Sequence, residues 1–127
     1  MPIRAAEGLL VTLPGGHPTV ILSAYPPQPT DLVIFANLTH VDNIEGATLL
    51  FGAGYRLSSG FMTTEDSTIY PQIRKCTRAQ ADDIVARCRD CGFISRADLS
   101  VMRSYVATRI ALISDKSVRD EIVRLGW

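Results

Sequence analysis

Two side chains in the first third of the chain are suited to acid–base chemistry and hydrogen bonding. The first, His17, follows a Pro-Gly-Gly turn and precedes an apolar run over Thr19 to Ser23. This order predicts a turn followed by a buried strand, which places the imidazole at the end of a sheet. Histidine gives or takes a proton near neutral pH, so His17 is a candidate catalytic residue. The alternative is a turn histidine that faces only water.

The second side chain, Thr39, ends another apolar run, Leu32 to Leu38, which predicts a strand. A polar stretch follows, so the Thr39 hydroxyl lies at a strand end where it can face a cleft. Its alternative role is a hydrogen bond to its own backbone. The neighbouring His40 offers a second acid or base, or else is an ordinary loop residue.

Basic residues that could hold a phosphate are Arg56, Arg74, Lys75 and Arg78. The last three lie close together around the end of a predicted strand and the start of a helix, and they form a local basic patch. The alternative is a solvated junction between these two elements. We include Ser67 with these four as candidate substrate-binding residues.

The acidic segment before the last predicted strand offers a partner for the imidazole. Glu65, Asp66 and Ser67 are candidates to orient His17 across the sheet, as a carboxylate orients a catalytic histidine. The pair Cys88-x-x-Cys91 has the spacing of a redox or zinc motif. We predict neither, because the pair falls at a predicted helix C-terminus and lacks the second half of a zinc spacing. No metal or cofactor is expected.

Length and composition indicate one ordinary globular domain. The 127 residues are 46% hydrophobic and 20% charged, and thirteen basic side chains balance thirteen acidic ones. Nucleic-acid-binding proteins usually carry a basic excess, so an RNA-binding role requires a local patch. The chain has no apolar run that could span a membrane and no apolar segment of a secretory signal near its first residue. With three cysteines, these features lead us to expect a cytoplasmic protein with reduced thiols.

The pattern of apolar residues predicts strands first and helices last, which is typical of an α+β domain. The predicted strands are Leu9 to Leu13, Thr19 to Ala24, Leu32 to Leu38, Ala47 to Phe51 and Thr68 to Lys75. A proline-rich loop from Tyr25 to Thr30 separates the second and third. Predicted helices begin after the N-caps Thr77, Ser95 and Asp115, and the first runs through Cys88 and Cys91 to Gly92.

Three of these strands resemble the MazF/PemK family of toxin ribonucleases. Gly8 to Pro14 is similar to that family's first strand, and His17-Pro18-Thr19-Val20-Ile21-Leu22-Ser23 to its Arg-Pro-Val-Val-Ile-Ile-Ser second strand. Asp31 to Thr39 resembles the third strand, which also ends in threonine. Asp66 to Tyr70 loosely resembles a later strand in a divergent branch that has histidine in place of arginine.

The resemblance implies a small SH3-like β-barrel of about five strands, residues 8–76, followed by two or three helices in residues 77–126 of a single domain, 1–127. It implies a metal-independent endoribonuclease toxin of a toxin–antitoxin type system, a homodimer with an antitoxin-like partner. His17 and Thr39 are then the catalytic residues. Because histidine replaces a permanently charged arginine, another cation must bind the phosphate. The alternative is a catalytically inactive barrel that binds a protein or a nucleic acid, with the Tyr25 to Thr30 loop beside the cleft.

Overall fold

The computed structural model describes residues 4–12, 16–24, 32–57, 60, 62–70 and 73–127. Within these residues the chain forms six strands and three α-helices, with two short 3-10 helices. The strands are β1 Leu9–Thr12, β2 Pro18–Ala24, β3 Leu32–His40, β4 Ser67–Ile69, β5 Arg74–Thr77 and β6 Arg89–Phe93. The helices are α1 Arg78–Ala86, α2 Arg96–Thr108 and α3 Lys116–Leu125, and the 3-10 helices are Val41–Asn43 and Ile110–Leu112. The predicted α+β class is confirmed.

All strand pairs are antiparallel, and β3 is the strand around which they are arranged. One edge of β3 pairs with β2, and the other edge pairs with β5 along Leu32 to Phe35 and with β4 along Leu38 to His40. The sheet continues from β2 to β1 and from β1 to β6. Successive parts of β3 therefore hold different strands, and its C-terminal end lies beside β4.

Alternation of side chains along the strands buries both faces of this sheet. One face carries Leu10, Val20 and Ile34, which pack with α2 and α3 in the main core. The other face carries Val11 and Val33, which pack under α1 in a second, smaller core. Asn37 and Thr39 continue this second face along β3, beyond the part that α1 covers.

The three predicted helix N-caps are confirmed by hydrogen bonds. The Thr77 hydroxyl accepts from the Gln80 backbone N–H at 3.2 Å, and the Gln80 side chain accepts from Thr77 N–H at 3.0 Å. Ser95 caps α2, and the Asp115 carboxylate accepts from two backbone N–H groups of α3. Such caps satisfy N–H groups that have no partner inside the helix.

Two strand predictions are wrong. Residues 47–50 form no strand, and Phe51 makes a single bridge to Ser67. The ladder stops there because Ser67 is the first residue of β4 and the chain bends just before it, at residues 64–65. The predicted strand Thr68 to Lys75 is instead two strands, β4 and β5. Pro71 lies between them, outside the described residues, and has no N–H to donate to a ladder.

The predicted extent of the first helix is also wrong. Helix α1 ends at Ala86, and Arg89–Phe93 forms β6, which pairs with β1. The segment predicted as helical therefore contains a strand, because the free edge of β1 supplies hydrogen-bond partners that the local pattern does not show. Leu13 and the Tyr25 to Thr30 loop lie outside the described residues. Among those that are described, no helix is both long and apolar enough to cross a membrane.

Candidate active site

The start of β2 and the end of β3 bring the two predicted catalytic residues together. In the β2–β3 register Thr19 lies opposite Asn37. Continuing that antiparallel register by two residues puts His17 opposite Thr39. The His17 side chain is exposed, whereas Thr39 is only 8% exposed. An exposed imidazole therefore lies across the strand pair from a buried hydroxyl.

Two adjoining pockets share His17, Thr39 and Asn43, and we call them together the rim cleft. The Arg74 pocket, about 220 Å³, extends from these residues to Tyr70 and Arg74. The His40 pocket, about 190 Å³, extends from the same residues to other side chains, including His40, Glu65 and Ser67. The two histidines, the threonine and one cation therefore line two pockets that adjoin each other.

The Thr39 hydroxyl has a side-chain partner that the sequence analysis did not identify. Asn43, at the end of the 3-10 helix Val41–Asn43, donates through Nδ2 to Thr39 Oγ1 at 3.2 Å. A hydroxyl that accepts this bond keeps its own proton to donate elsewhere. The only sequence signal was an asparagine four residues after the threonine, in a polar turn.

Arg74 is the cation of the rim cleft. It is the first residue of β5, where it lies opposite Phe35 of β3. Its side chain is exposed, and within the described part of the chain it makes no hydrogen bond or ion pair. A guanidinium without a carboxylate partner can bind a phosphate through two parallel hydrogen bonds.

The other three predicted basic residues do not line the rim cleft. Lys75 donates to the Ser117 hydroxyl and lies 3.7 Å from the Asp115 carboxylate, beside the start of α3. Arg78 donates to the carbonyl of Ala5 at 2.9 Å. The predicted patch is thus divided, because neighbouring residues of β5 point to opposite faces of the sheet.

Arg56, the remaining basic candidate, donates to the Gly60 carbonyl at 3.2 Å in an irregular segment. Ser67 does line the His40 pocket. It is 8% exposed and donates to the Glu65 carbonyl at 2.7 Å. Its hydroxyl proton is therefore engaged in holding the segment before β4.

The acidic segment meets a different histidine from the one predicted. Glu65 Oε2 lies 3.8 Å from His40 Nδ1, and Asp42 Oδ2 lies 3.7 Å from the same nitrogen. Asp66 accepts from the Ala53 backbone N–H at 2.9 Å. Among the described residues, no carboxylate lies within ion-pair distance of His17. This arrangement follows from β3–β4 pairing, which puts His40 opposite Ser67.

The cysteines are not among the residues that line the rim cleft. Cys76 and Cys88 line an apolar groove of about 420 Å³ under α1, which shares Asn37 and Arg74 with the Arg74 pocket. Burial raises the pKa of the Cys76 thiol and that of the Cys88 thiol. Cys91 lies in β6, where its sulfur is 3.3 Å from the Thr12 hydroxyl. In the described ranges, no group of three or more histidine, cysteine or acidic side chains could hold a metal ion.

Comparison with known proteins finds similarity at the level of structure. No protein-family model matches this chain, and no curated protein matches it by sequence. A solved structure described as "Endoribonuclease from Mycobacterial species" superimposes with a TM-score of 0.53 and 12% identity, over 89% of this chain and 96% of that chain. A MazE-MazF structure from Deinococcus radiodurans has 15% identity over 87% of this chain and 99% of that chain, with a TM-score of 0.47, which is too low to compare folds.

The superposition on the mycobacterial endoribonuclease covers strands and helices alike, since it extends over most of both chains. At 12% identity it shows the fold and not the chemistry. This chain has the MazF-like α+β fold that the resemblance of its strands predicted.

Proposed function

We propose that this chain is a metal-independent endoribonuclease that acts as the toxin of a toxin–antitoxin type system in the cytoplasm. One observation carries the proposal: His17, Thr39 and Arg74, whose side chain has no partner among the described residues, line one cleft at the rim of the sheet. This set combines a proton acceptor, a hydroxyl donor and a cation, which can deprotonate the 2′-hydroxyl of RNA and stabilise the charge that develops on the phosphate. The proposal takes its reaction type from the sequence resemblance.

In the proposed reaction a phosphodiester of RNA lies between Thr39 and Arg74. His17 removes the proton from the ribose 2′-hydroxyl, whose oxygen then attacks the phosphorus. Proton transfer of this kind contributes about 10²–10⁴-fold to a rate. The products are a 2′,3′-cyclic phosphate and a free 5′-hydroxyl.

Thr39 and Arg74 act on the phosphate itself. The Thr39 hydroxyl, which accepts from Asn43, donates to a non-bridging oxygen as negative charge develops there. Arg74 supplies the permanent charge that the family's strand-two arginine would supply, and that His17 cannot. The lack of a net basic charge is consistent with this site, because a single exposed guanidinium in the cleft provides the local attraction.

The toxin role brings two expectations that rest on the resemblance alone. The chain is expected to form a homodimer and to be held inactive by an antitoxin-like protein. Sedimentation of the purified chain tests the first expectation. Growth arrest on induction of the chain, absent on induction of His17→Ala, tests the second.

The direct test is incubation of the purified chain with mixed RNA in the presence of EDTA. We expect cleavage with 2′,3′-cyclic phosphate ends, and a loss of at least about 10²-fold for His17→Ala and for Thr39→Ala. Unchanged cleavage by both variants would remove the site assignment. Persistent absence of cleavage by the unaltered chain would remove the proposed function.

The alternative is an inactive barrel that binds a protein or a nucleic acid. The balance of thirteen basic and thirteen acidic side chains favours it, since dedicated RNA-binding domains are usually basic. Tight binding to RNA or to a protein without RNA turnover would support this alternative.

A further inference from the structure

We propose that His40 is the second catalytic residue of the rim cleft, the acid that protonates the leaving 5′-oxygen. The inference rests on the proposed ribonuclease function and assigns one more step of that reaction. His17 has one task in the reaction above, which is to take the proton from the 2′-hydroxyl. Cleavage also has to deliver a proton to the 5′-oxygen, because an alkoxide is a poor leaving group.

The position of His40 suits this task. It is the last residue of β3, opposite Ser67 of β4, and its side chain is 29% exposed. It lines the His40 pocket, to which His17 and Thr39 also contribute. Both imidazoles and the threonine hydroxyl therefore line the pocket in which the reacting phosphate would be held.

The two histidines differ in their neighbouring carboxylates. His40 Nδ1 faces two carboxylates, Asp42 from the 3-10 helix and Glu65 from the segment before β4, at 3.7 and 3.8 Å. Carboxylates beside one ring nitrogen can orient the imidazole, as a carboxylate orients a catalytic histidine. No carboxylate of the described residues lies within ion-pair distance of His17.

A hydrogen bond to its backbone carbonyl holds Glu65 in place beside His40. The Ser67 hydroxyl donates to the Glu65 carbonyl at 2.7 Å, and the Ser67 side chain is almost fully buried. This bond fixes the segment that presents the Glu65 carboxylate to His40. Glu65 is thus a positioning residue, since it acts through the imidazole.

The proton balance of the step is complete without another reactant. The bond from the 2′-oxygen to phosphorus forms as the bond from phosphorus to the 5′-oxygen breaks. His17 gains the 2′-hydroxyl proton and His40 loses one to the 5′-oxygen. Exchange with water then restores both rings.

The test compares two RNA oligonucleotides of the same sequence, one normal and one with sulfur in place of the 5′-bridging oxygen at the cleaved bond. A thiolate leaves without being protonated, so the sulfur-linked RNA does not need the acid. We expect His40→Asn to slow cleavage of normal RNA by about 10²–10⁴-fold and cleavage of the sulfur-linked RNA by only a few-fold. His17→Ala should slow both.

The pH profile gives a second readout that a purely structural role of His40 would not change. The unaltered chain should cleave normal RNA with a bell-shaped profile, because His17 must be neutral and His40 protonated. On sulfur-linked RNA the decline at alkaline pH should disappear. Glu65→Gln should slow cleavage of normal RNA and leave cleavage of sulfur-linked RNA nearly unchanged, because the side chain that positions His40 is altered.

Glu45→Gln is the matched control for Glu65→Gln. Glu45 is exposed and forms no ion pair within the described ranges. Its substitution should leave cleavage of both oligonucleotides unchanged. The melting temperature of each variant separates catalytic loss from loss of folding, and Glu65→Gln allows the same comparison of the two oligonucleotides in a chain that retains both histidines.

The outcomes separate this inference from the proposed function. An unaltered chain that cleaves both oligonucleotides, with His40→Asn slowing both equally or neither, would overturn the role of His40 alone. An unaltered chain that cleaves neither would overturn the proposed function and this inference with it. Selective loss on normal RNA supports both.

Discussion

Replacing Thr39 with valine separates the chemical role of this residue from its structural one. Valine has nearly the shape of threonine, so it fills the same buried position and keeps the preference for a strand. What it removes is one hydroxyl, which accepts from Asn43 and is proposed to donate to the phosphate. The substitution therefore changes hydrogen bonding and leaves packing almost intact.

The structure gives different magnitudes for stability and for activity. Thr39→Val removes one hydrogen bond to a neutral, exposed amide that can bind water instead, so unfolding free energy should fall by about 0.5–1.5 kcal/mol at most. Loss of a donor to developing negative charge costs about 10²–10³-fold in rate, or roughly 2.7–4 kcal/mol. Activity should therefore fall far more than stability.

Single-turnover cleavage of an RNA oligonucleotide and urea unfolding measure the two quantities on the same preparation. Thr48→Val is the matched control, because Thr48 is exposed, lies outside the rim cleft and accepts a hydrogen bond from Arg109 at 3.2 Å. The control should cleave RNA at the unaltered rate. Cleavage by Thr39→Val within about threefold of the unaltered chain would refute the assignment of the hydroxyl to the reaction.

The other predictions concern the cation, the core and the third helix. Arg74→Gln should weaken RNA binding and reduce the slope of log affinity against log salt concentration by about one. Arg56→Gln, which lies outside the cleft, should change neither quantity. Binding titrations at several salt concentrations measure both. Met102→Ala should lower the free energy of unfolding by about 2–5 kcal/mol in urea titrations, because Met102 is fully buried in the main core. The hydrogen bond from the Ser117 hydroxyl holds the pKa of Asp115 below its usual value. Ionised Asp115 therefore stabilises the fold at any pH above the pKa of an ordinary aspartate, and this stabilisation is lost as the pH falls through the pKa of Asp115 in the folded chain. Asp115→Asn should therefore lose less stability than the unaltered chain when the pH is lowered from 7 to about 3, and an equal loss would contradict this.

Features set by neighbouring residues could be predicted from the sequence. Thr77, Ser95 and Asp115 were recognisable as N-caps because the cap and the N–H groups it bonds are within three residues of each other. The strands that flank the rim cleft, β2 and β3, were recognisable because their apolar runs are long and bounded by turn residues.

Features set by distant parts of the chain could not be predicted in this way. Strand β6 continues the helical spacing of α1 in its sequence, and only the free edge of β1 makes it a strand. Arg74 and Lys75 are adjacent in the sequence, and the register of β5 on β3 decides which one reaches the cleft. Likewise, β3–β4 pairing directs Glu65 to His40, whereas the sequence suggested His17.

The pairing of β1 with β6 determines how this protein can be divided. A fragment that ends at residue 76, the limit that the sequence suggests for the barrel, would leave one edge of β1 with unbonded N–H and C=O groups. It would also remove α1, which covers one face of the sheet. Such an edge recruits strands from other molecules, so the fragment should aggregate. During synthesis on the ribosome, about eighty further residues must be added after β1 before β6 can pair with it. The sheet is therefore completed late in synthesis.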